Sequence, residues 1–409
     1  MEQELKAQRA DALTTVTVEK LVYGGDGLAR MDGQVVLMPY VLPDEIVRLQ
    51  AGRSKNGVLR AAGVPEIIEA SSRRTQPGCE YFGKCGGCQY QHAEYALQLE
   101  QKRNILLETL QRLGGIRFDR EIPVMNGEPW QYRNRVQLHF SERHVGFHQL
   151  GSHHLCPIDH CPISSPLLNE VIGKLRDAVK RPEWPKFLQS LEVFTNEREV
   201  QLHILDSTRP VAARFFEWCG SFLPQFAPGA IEYPAVGHQF RISRGSFFQV
   251  NRFLIDSLVG VALGDLQGER AVDLYAGVGL FTLPLAQRFA AVQAVERGGP
   301  AYRDLEWNAR ESGREIQTIK SSAEEFLREL PETPDVIVAD PPRAGLGKEL
   351  TAELLRLKAP QVVVVSCDPT TLARDLKSLV GAYEIERMTL VDLFPQTFHF
   401  ETVVGLRAK

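Results

Sequence analysis

The sequence predicts a multidomain α/β protein with a small N-terminal β-barrel, a central α/β region and a C-terminal doubly wound α/β domain of Rossmann type. Short strand-like segments separated by glycine turns fill residues 13–70, and a cysteine-rich segment with mixed α/β patterns follows. From about Phe240 onward, apolar runs alternate with helical stretches. A chain of 409 residues, 44% of them apolar, has room for roughly two to four domains with buried cores.

The predicted barrel begins with an alternating segment at Thr14 and contains a hairpin whose turn is Asp32-Gly33. A further strand starts at Glu45 and ends near Gly52. Several basic side chains of this region would suit phosphate groups, although charge alone favours an ordinary solvated surface. They are Arg48, Arg53, Lys55 and Arg60.

A helix is predicted over residues 92–113, where apolar side chains form a stripe that ends at Gly114-Gly115. Mixed α/β patterns follow from Ile122 to Pro234. In the C-terminal part, four apolar runs have the length and composition of buried parallel strands. They are residues 271–275, 291–295, 335–339 and 361–366.

Composition and charge exclude several classes of protein. With 24% charged residues and a net charge of −4, the chain is neither disordered nor generally attractive to nucleic acid, so such a partner needs local basic patches. No segment has the length and apolarity of a membrane span, and residues 1–11 lack the apolar stretch of a signal peptide. We therefore expect a cytoplasmic protein without a membrane partner. Its seven cysteines are then expected to be metal ligands, a nucleophile or buried thiols.

A glycine loop follows the first predicted strand of the C-terminal domain, with Asp273, Gly277 and Gly279 at its key positions. A dinucleotide fingerprint needs a third glycine, where this chain has Thr282. Glu296 ends the second strand, where a carboxylate accepts hydrogen bonds from ribose hydroxyls. The pattern fits S-adenosylmethionine better than a dinucleotide, because no pyrophosphate needs binding and Asp273 can meet the cationic amino-acid end. A dehydrogenase and a tight turn without ligand are the alternatives.

Cys367 lies where the strand predicted over residues 361–366 runs into a helix with proline at its first position. The carboxyl end of a parallel strand is where α/β enzymes bind ligands, and a helix N-terminus favours the reactive thiolate. The alternative is a buried inert cysteine. A thiolate beside a methyl donor suggests addition to carbon 6 of a pyrimidine, which makes carbon 5 nucleophilic. A base must later remove the carbon-5 proton, and His399 or Glu401 could do so.

Asp340 and two prolines after it end another strand and predict a rigid wall beside the same pocket. Amino-group methyltransferases carry an aromatic residue after such an acid and two prolines, whereas this chain has Arg343. The arginine argues against methylation of a base amino group.

Five ordered motifs closely resemble those of the bacterial RNA 5-methyluridine methyltransferases, and the resemblance covers nearly the whole chain. They are residues 246–251 (SFFQVN), 273–279 (DLYAGVG), 340–345 (DPPRAG), 366–376 (SCDPTTLARDL) and 394–401 (FPQTFHFE). The resemblance implies that Cys367 is the nucleophile and Glu401 the base. It further implies that S-adenosylmethionine contacts Gln249, Tyr275, Glu296 and Asp340.

The resemblance also implies a domain division. Residues 1–12 are expected to be a flexible N-terminus, and residues 13–70 an RNA-binding TRAM domain, which is an OB-like barrel. Residues 71–91 and 122–238 form the central domain. The methyltransferase domain comprises residues 92–121 and 239–409.

Three closely spaced cysteines, Cys79, Cys85 and Cys88, predict a metal site with a fourth thiolate from Cys156 or Cys161. Their spacing is compatible with zinc and with a [4Fe–4S] cluster. The family resemblance implies the [4Fe–4S] cluster with Cys161 as fourth ligand, which leaves Cys156 and Cys219 as ordinary thiols. Because methyl transfer moves no net electrons, the predicted role of the cluster is folding or RNA positioning.

The expected partner is structured RNA, and the TRAM-like barrel together with the cluster favours 23S rRNA over the T-loop of tRNA. Charge placement suggests RNA contacts at Arg133, Arg135, Arg241 and Arg244, against an ordinary solvated surface as the alternative. The protein is expected to be a monomer. A non-catalytic RNA-binding iron–sulfur protein is the alternative from another functional class.

Overall fold

The computed structural model describes residues 13–223 and 225–409. The predicted N-terminal segment 1–12 and the side chains of Arg53 and Lys55 lie outside the described part.

The chain divides into two compact units. One contains residues 13–105, His148–Cys156 and Phe394–His399, and the other Leu106–Phe147, Pro157–Leu393 and Phe400–Lys409. The finer division into three domains stays a prediction. Within the described residues, no helix has both the length and the apolarity to cross a bilayer.

Seven strands form the sheet of the first unit, in the order β1-β5-β6-β4-β3-β2 with β7 paired to β5. Their bounds are Leu13–Thr17 (β1), Lys20–Leu21 (β2), Gly27–Met31 (β3), Gln34–Met38 (β4), Ile46–Lys55 (β5), Val58–Ala61 (β6) and Glu66–Glu69 (β7). Alternate residues of these strands point inward and form a core that includes Val16, Ala29, Val36 and Val47. A small sheet wrapped around one core in this way fits the predicted barrel.

The predicted hairpin at Asp32-Gly33 is confirmed. Met31 pairs with Gln34, and the two turn residues have φ angles of 51° and 78°, as a type I′ turn requires. Two predicted phosphate contacts are engaged in ion pairs within this unit, Arg48 with the exposed Glu66 and Arg60 with the partly buried Asp26.

The predicted helix over residues 92–113 is observed as Tyr95–Thr109 (α1), followed by a π-helical turn over Leu110–Gly114. The chain then contributes Val124–Met125 (β8), Arg135–Ser141 (β9), His144–His148 (β10), Leu155–Pro157 (β11), Pro166–Ala178 (α2), Leu188–Thr195 (β12), Val200–Ser207 (β13), Ala213–Phe222 (α3), Ile231–Ala235 (β14) and His238–Ile242 (β15). Strand β9 pairs antiparallel with β10 and β12, and β12 pairs with β13.

The C-terminal region is a doubly wound sheet, as predicted. Its elements are Ile255–Leu263 (α4), Gly268–Leu274 (β16), Thr282–Leu285 (α5), Phe289–Val295 (β17), Gly299–Glu311 (α6), Ile316–Ile319 (β18), Ala323–Glu329 (α7), Val336–Ala339 (β19), Gly347–Leu357 (α8), Gln361–Ser366 (β20), Pro369–Leu379 (α9), Tyr383–Val391 (β21) and Glu401–Ala408 (β22). The strand order is β18-β17-β16-β19-β20-β22-β21-β8. The first five strands are parallel, and β22 runs antiparallel between β20 and β21.

One predicted element is much shorter than expected. The sequence pattern after the glycine loop predicts a helix over residues 280–288, whereas the structure has one turn, Thr282–Leu285. Pro284 is tolerated in a first helical turn but cannot donate the hydrogen bond of an interior position. Because β17 starts at Phe289, the chain has no room for a longer helix.

Candidate active site

The predicted site residues of the second unit gather at the carboxyl ends of β16, β17, β19 and β20. The strand order reverses at β16, which has β17 on one side and β19 on the other. Such a switch point leaves a crevice beyond the strand ends, where open α/β sheets bind ligands. Tyr275 follows β16, Glu296 follows β17, Asp340 follows β19 and Cys367 follows β20.

The glycine loop after β16 has three residues in the left-handed region, with φ angles of 58° at Tyr275, 58° at Gly277 and 98° at Gly279. A Cβ atom at position 279 would lie 3.1 Å from a methyl group of Leu305, so a side chain there would have to displace the packing of helix α6 slightly. At Tyr275 a bulky side chain accepts a conformation that costs energy, which is common in ligand sites.

Glu296 organises this loop with its carboxylate. One oxygen accepts the backbone N–H of Gly277 at 2.9 Å, and the other accepts the N–H of Gly298. A carboxylate oxygen can accept more than one hydrogen bond, so these two bonds leave acceptor capacity for hydroxyl groups of a ligand. The contact of Glu296 with a ribose stays a prediction.

Asp273 lies beneath the loop and is fully buried. Oδ2 accepts the hydroxyl of Thr282 at 2.5 Å, while Oδ1 has no hydrogen-bond partner among the described residues. Burial raises the pKa of Asp273 to about 7, with the charges of Asp340 and Glu296 acting in the same direction. A cationic group near this carboxylate would compensate its buried charge, as the predicted contact with the amino-acid end of the cofactor implies.

A cavity of about 440 Å³ opens beside Tyr275 and Glu296. Ser322 and Glu324 line it from the start of α7, and the segment 344–347 lines it from the end of the loop before α8 and from the first residue of that helix. The Tyr275 hydroxyl donates to Glu324 at 3.3 Å. The volume lies within the range of small-molecule and cofactor sites.

Gln249 and Asp340 are brought together in the fold. The Gln249 amide donates to Oδ2 of Asp340 at 3.3 Å, and burial raises the pKa of Asp340 to about 7. The backbone near Gln249 is held by a buried carboxylate, because Asp304 accepts the hydroxyls of Ser243 and Ser246 at 2.6 Å each.

The expectation that the α9 N-terminus favours a Cys367 thiolate is wrong. Burial raises the pKa of Cys367 to about 12, and the charges of Glu401, Asp340 and Asp368 act in the same direction against that of Arg343. Asp368, the N-cap residue, accepts the N–H groups of Thr370 and Thr371. The favourable end of the helix dipole is thus already matched by a carboxylate.

Glu401 is buried at the first position of β22, with Oε2 lacking a hydrogen-bond partner among the described residues. Burial raises its pKa well above the ordinary value, with the Asp340 charge acting in the same direction and Arg343 opposing. The other candidate base, His399, belongs to the first unit, where its ring centroid lies 3.9 Å from that of Phe398 with the two ring planes tilted by 37°.

The four arginines expected to contact RNA lie in different environments. Arg135 is buried, pairs with Glu192 at 2.9 Å and stacks on Phe194, so the prediction of an RNA contact there is wrong. Arg133 is partly buried and donates to the carbonyl of Arg135, and Arg244 packs over Phe216. Arg241 is more than one-third exposed and lies over the ring of Trp307.

The cysteine-rich loop belongs to the first unit. All seven cysteines lie in the described part of the chain, and none forms a disulfide. No three His, Cys, Asp or Glu side chains of the described residues are arranged around a position for a single metal ion. The Tyr40 hydroxyl is buried without a hydrogen-bond partner in the described part of the chain, and its pKa is raised to about 12 by burial and by charge on Cys85 and Cys88. The buried donor beside these thiols fits a thiolate ligand set.

Sequence reasoning missed several residues of the site. Arg343 was considered only as a replacement for an aromatic side chain, whereas its charge acts on Cys367 and Glu401. Ser322 and Glu324 follow β18, and their position after a parallel strand could have indicated them. No local signal pointed to Thr282 as the partner of Asp273.

The fold is that of a solved methyltransferase. The tRNA (uracil-54, C5)-methyltransferase of Pyrococcus abyssi, in complex with S-adenosyl-L-homocysteine, matches 96% of this chain and all of its own with a TM-score of 0.75 at 24% identity. Together with the glycine loop at the switch point of the sheet, this likeness shows a Rossmann-type fold.

The chain belongs to the RNA uracil-5-methyltransferase family and is S-adenosylmethionine-dependent. The tRNA (Uracil-5-)-methyltransferase family model matches residues 235–409, and the TRAM domain model matches residues 13–63. An uncharacterized RNA methyltransferase of Aquifex aeolicus is 33% identical over 96% of this chain and 98% of its own. The 23S rRNA (uracil(1939)-C(5))-methyltransferase RlmD of Halomonas elongata is 32% identical over 96% of this chain and 89% of its own.

Proposed function

We propose that this protein methylates carbon 5 of a uridine in 23S rRNA through a covalent bond between Cys367 and carbon 6 of the base. The observation that carries the proposal is the convergence of Cys367, Glu401, Asp340 and Arg343 at the carboxyl edge of one sheet, where each charge acts on the thiol. This edge also borders the glycine loop and the cavity beside Glu296.

The chain's own residues supply the nucleophile and the base. Cys367 loses its proton to solvent, and the resulting thiolate adds to carbon 6, which makes carbon 5 an enolate-type nucleophile. After carbon 5 has gained its methyl group, Glu401 in its ionised form takes the proton from that carbon, and the bond to sulfur breaks to restore Cys367. The charge of Arg343 favours the thiolate and the carboxylate, because it lowers the pKa of both groups.

S-adenosylmethionine supplies a methyl group on a cationic sulfur when it is bound. Glu296 would hold the ribose, Tyr275 would line the adenosine side of the cavity, and Asp273 would face the amino-acid end. Gln249 and Asp340 would close the side towards the base. The loop glycines Gly277 and Gly279 allow the backbone to approach the ligand closely.

Two relatives support 23S rRNA as the substrate. RlmD of Halomonas elongata and RlmD of Shewanella amazonensis, both 23S rRNA uracil-C5 methyltransferases by name, are 32% and 31% identical over 96% and 97% of this chain. The tRNA enzyme of Pyrococcus abyssi is 24% identical, which supports the fold and not the substrate.

The proposal is tested with labelled S-adenosylmethionine and two RNAs, unmodified 23S rRNA and unmodified tRNA. We expect label in 23S rRNA as 5-methyluridine, none in tRNA, and none in either RNA with Cys367→Ala. Label in tRNA alone would overturn the rRNA assignment. Activity retained by Cys367→Ala would overturn the covalent mechanism and favour methylation of a base amino group. Intact cofactor binding without label in either RNA would favour a non-catalytic RNA-binding protein.

We also propose that Cys79, Cys85 and Cys88 bind a [4Fe–4S] cluster. Support comes from the three thiols and from the buried Tyr40 hydroxyl, which can donate a hydrogen bond to sulfur. The choice of Cys161 as fourth ligand rests on the sequence resemblance alone. Analysis of iron, sulfide and the visible spectrum after anaerobic purification tests the cluster, and colourless protein with stoichiometric zinc would refute it. Cys161→Ala is expected to lower the iron content, whereas the matched control Cys156→Ala is not.

A further inference from the structure

The segment 344–347, which spans the end of the loop after β19 and the first residue of α8, forms one wall of the cavity beside Glu296 and is bound by side chains of another helix. Ala344, Gly345, Leu346 and Gly347 all line the cavity. Asp375, on helix α9, accepts the backbone N–H of Leu346 at 2.7 Å and that of Gly347 at 3.3 Å. The Asp375 carboxylate is buried, so these bonds to a charged acceptor lie in a region of low dielectric constant.

Arg374 completes the attachment from the same turn of α9. Its guanidinium donates to the carbonyl of Ala344 at 2.7 Å and to Oδ1 of Asp375 at 2.8 Å and 3.0 Å. One acidic and one basic side chain therefore bind the backbone of segment 344–347 through both its N–H groups and a carbonyl.

Glycine at position 345 allows the segment to lie this close to Arg374 and Asp375. Its φ angle is 76°, and a Cβ atom there would lie 2.4 Å from Oδ2 of Asp375 and 2.8 Å from the Arg374 guanidinium. Real side chains do not approach so closely, so the loop can lie against the two charged residues only with glycine at this position.

We propose that Arg374 and Asp375 are positioning residues for the cofactor: they hold segment 344–347 as the cavity wall and thereby set the affinity for S-adenosylmethionine. Neither residue lines the cavity, so both act through the loop backbone. The inference rests on the proposed function only in taking the cavity beside Glu296 as the cofactor site. It further links this wall to Cys367, because α9 begins two residues after the thiol.

The test measures binding of S-adenosyl-L-homocysteine to the intact protein by calorimetry, together with kcat and the KM for S-adenosylmethionine. We expect Asp375→Ala to raise the dissociation constant about tenfold, since it removes two hydrogen bonds to a charged acceptor. Asp375→Asn, which retains an acceptor oxygen, should raise it less, and Arg374→Ala, on an exposed side chain, keeps the test available if Asp375→Ala does not fold. KM should rise in parallel while kcat at saturating cofactor stays within about threefold of wild type.

Asp335→Ala is the matched control. Asp335 also accepts two backbone N–H groups, those of Glu269 and Arg270, at 2.8 Å and 2.9 Å, but it precedes β19 at the end remote from Asp340. This variant should lose thermal stability but keep the wild-type affinity for S-adenosyl-L-homocysteine. An unchanged dissociation constant in both Asp375 variants, or an equal rise in Asp335→Ala, would overturn the proposal. Because the binding assay contains no RNA, a failure of the 23S rRNA assignment is detected separately in the methylation assay.

Discussion

Cys367 ends a buried strand near three carboxylates, Glu401, Asp340 and Asp368, and one arginine, Arg343. The resting side chain is a protonated thiol, because burial and the carboxylates raise its pKa to about 12. A neutral thiol is a poor nucleophile and is slow to react with oxidants and other electrophiles. The nucleophile is thus protected until the charge balance of the site changes.

The pH dependence of alkylation tests this state of Cys367. The rate of its reaction with iodoacetamide, followed on the Cys367 peptide by mass spectrometry, should rise about tenfold per pH unit between about pH 7 and about pH 9 without a plateau, because only thiolate reacts. The same peptide in urea-unfolded protein should approach a plateau near the ordinary thiol pKa. A plateau at neutral pH in the folded protein would contradict the raised pKa.

Replacement of the proposed base separates adduct formation from product release. Glu401→Gln should accumulate a covalent complex of protein and methylated RNA, because carbon 5 keeps its proton and the bond to Cys367 cannot break. The complex would appear as a denaturant-resistant band on a gel. His399→Gln serves as the comparison and should turn over without such a band. If His399→Gln accumulates the adduct and Glu401→Gln does not, histidine is the base.

At the scale of elements, the barrel depends on one buried carboxylate. Glu45 is fully buried and accepts the N–H groups of Leu42 and Ser71 at 2.8 Å and 3.2 Å. Arg74 binds both of its oxygens, at 2.6 Å and 2.8 Å, and also the carbonyl of Tyr40. Burial raises the pKa of Glu45, but the hydrogen bonds from Arg74 and the two amides lower it below the ordinary value in total.

The contribution of the Glu45–Arg74 ion pair to the free energy of unfolding can be compared with that of an exposed ion pair in the same unit. Arg74→Ala leaves the Glu45 charge buried without its cation, which should lower the free energy of unfolding by about 3 kcal/mol. Arg48→Ala breaks the exposed pair with Glu66 and should cost less than about 1 kcal/mol. Urea unfolding of both variants gives the two values, and equal losses would contradict the distinction.

For the stability of the whole molecule, it matters that three carboxyl groups of the site have higher pKa values in the folded protein than in the unfolded chain. Burial raises the pKa of Asp273 and of Asp340 to about 7, and that of Glu401 well above its ordinary value. Above about pH 4 these groups ionise in the unfolded chain while they stay protonated in the folded one. Rising pH therefore favours the unfolded state between about pH 4 and about pH 7, and the site costs stability at neutral pH.

Asp273→Asn removes the contribution of Asp273 to this pH dependence, because the side-chain amide of asparagine does not titrate. Its free energy of unfolding relative to wild type should increase as pH rises from about 5 to about 8. Urea midpoints of the two proteins at both pH values provide the measurement, and they also show whether the amide disturbs the hydrogen bond with Thr282. A difference that does not vary with pH would mean that Asp273 is ionised in the folded protein.

Much of the architecture was open to prediction because it depends on local patterns. The turn at Asp32-Gly33 follows from two residues that accept positive φ angles, and the buried strands β16, β19 and β20 follow from uninterrupted apolar runs. The helix after the glycine loop was overestimated, since its length is limited by the start of β17 and by Pro284. Arg135 was expected on the surface because its charge is visible in the sequence, whereas its partner Glu192 is brought to it by strand pairing.

The sequence by itself determined the doubly wound fold, the glycine loop and the ordered motifs that contain Cys367 and Glu401, because residue type and spacing along the chain encode them. Only the tertiary structure decided the ionisation of the thiol, the burial of Arg135 and the attachment of segment 344–347 to Asp375. Desolvation and contacts between residues distant in the chain arise only when the chain is packed, since both depend on which side chains share one environment.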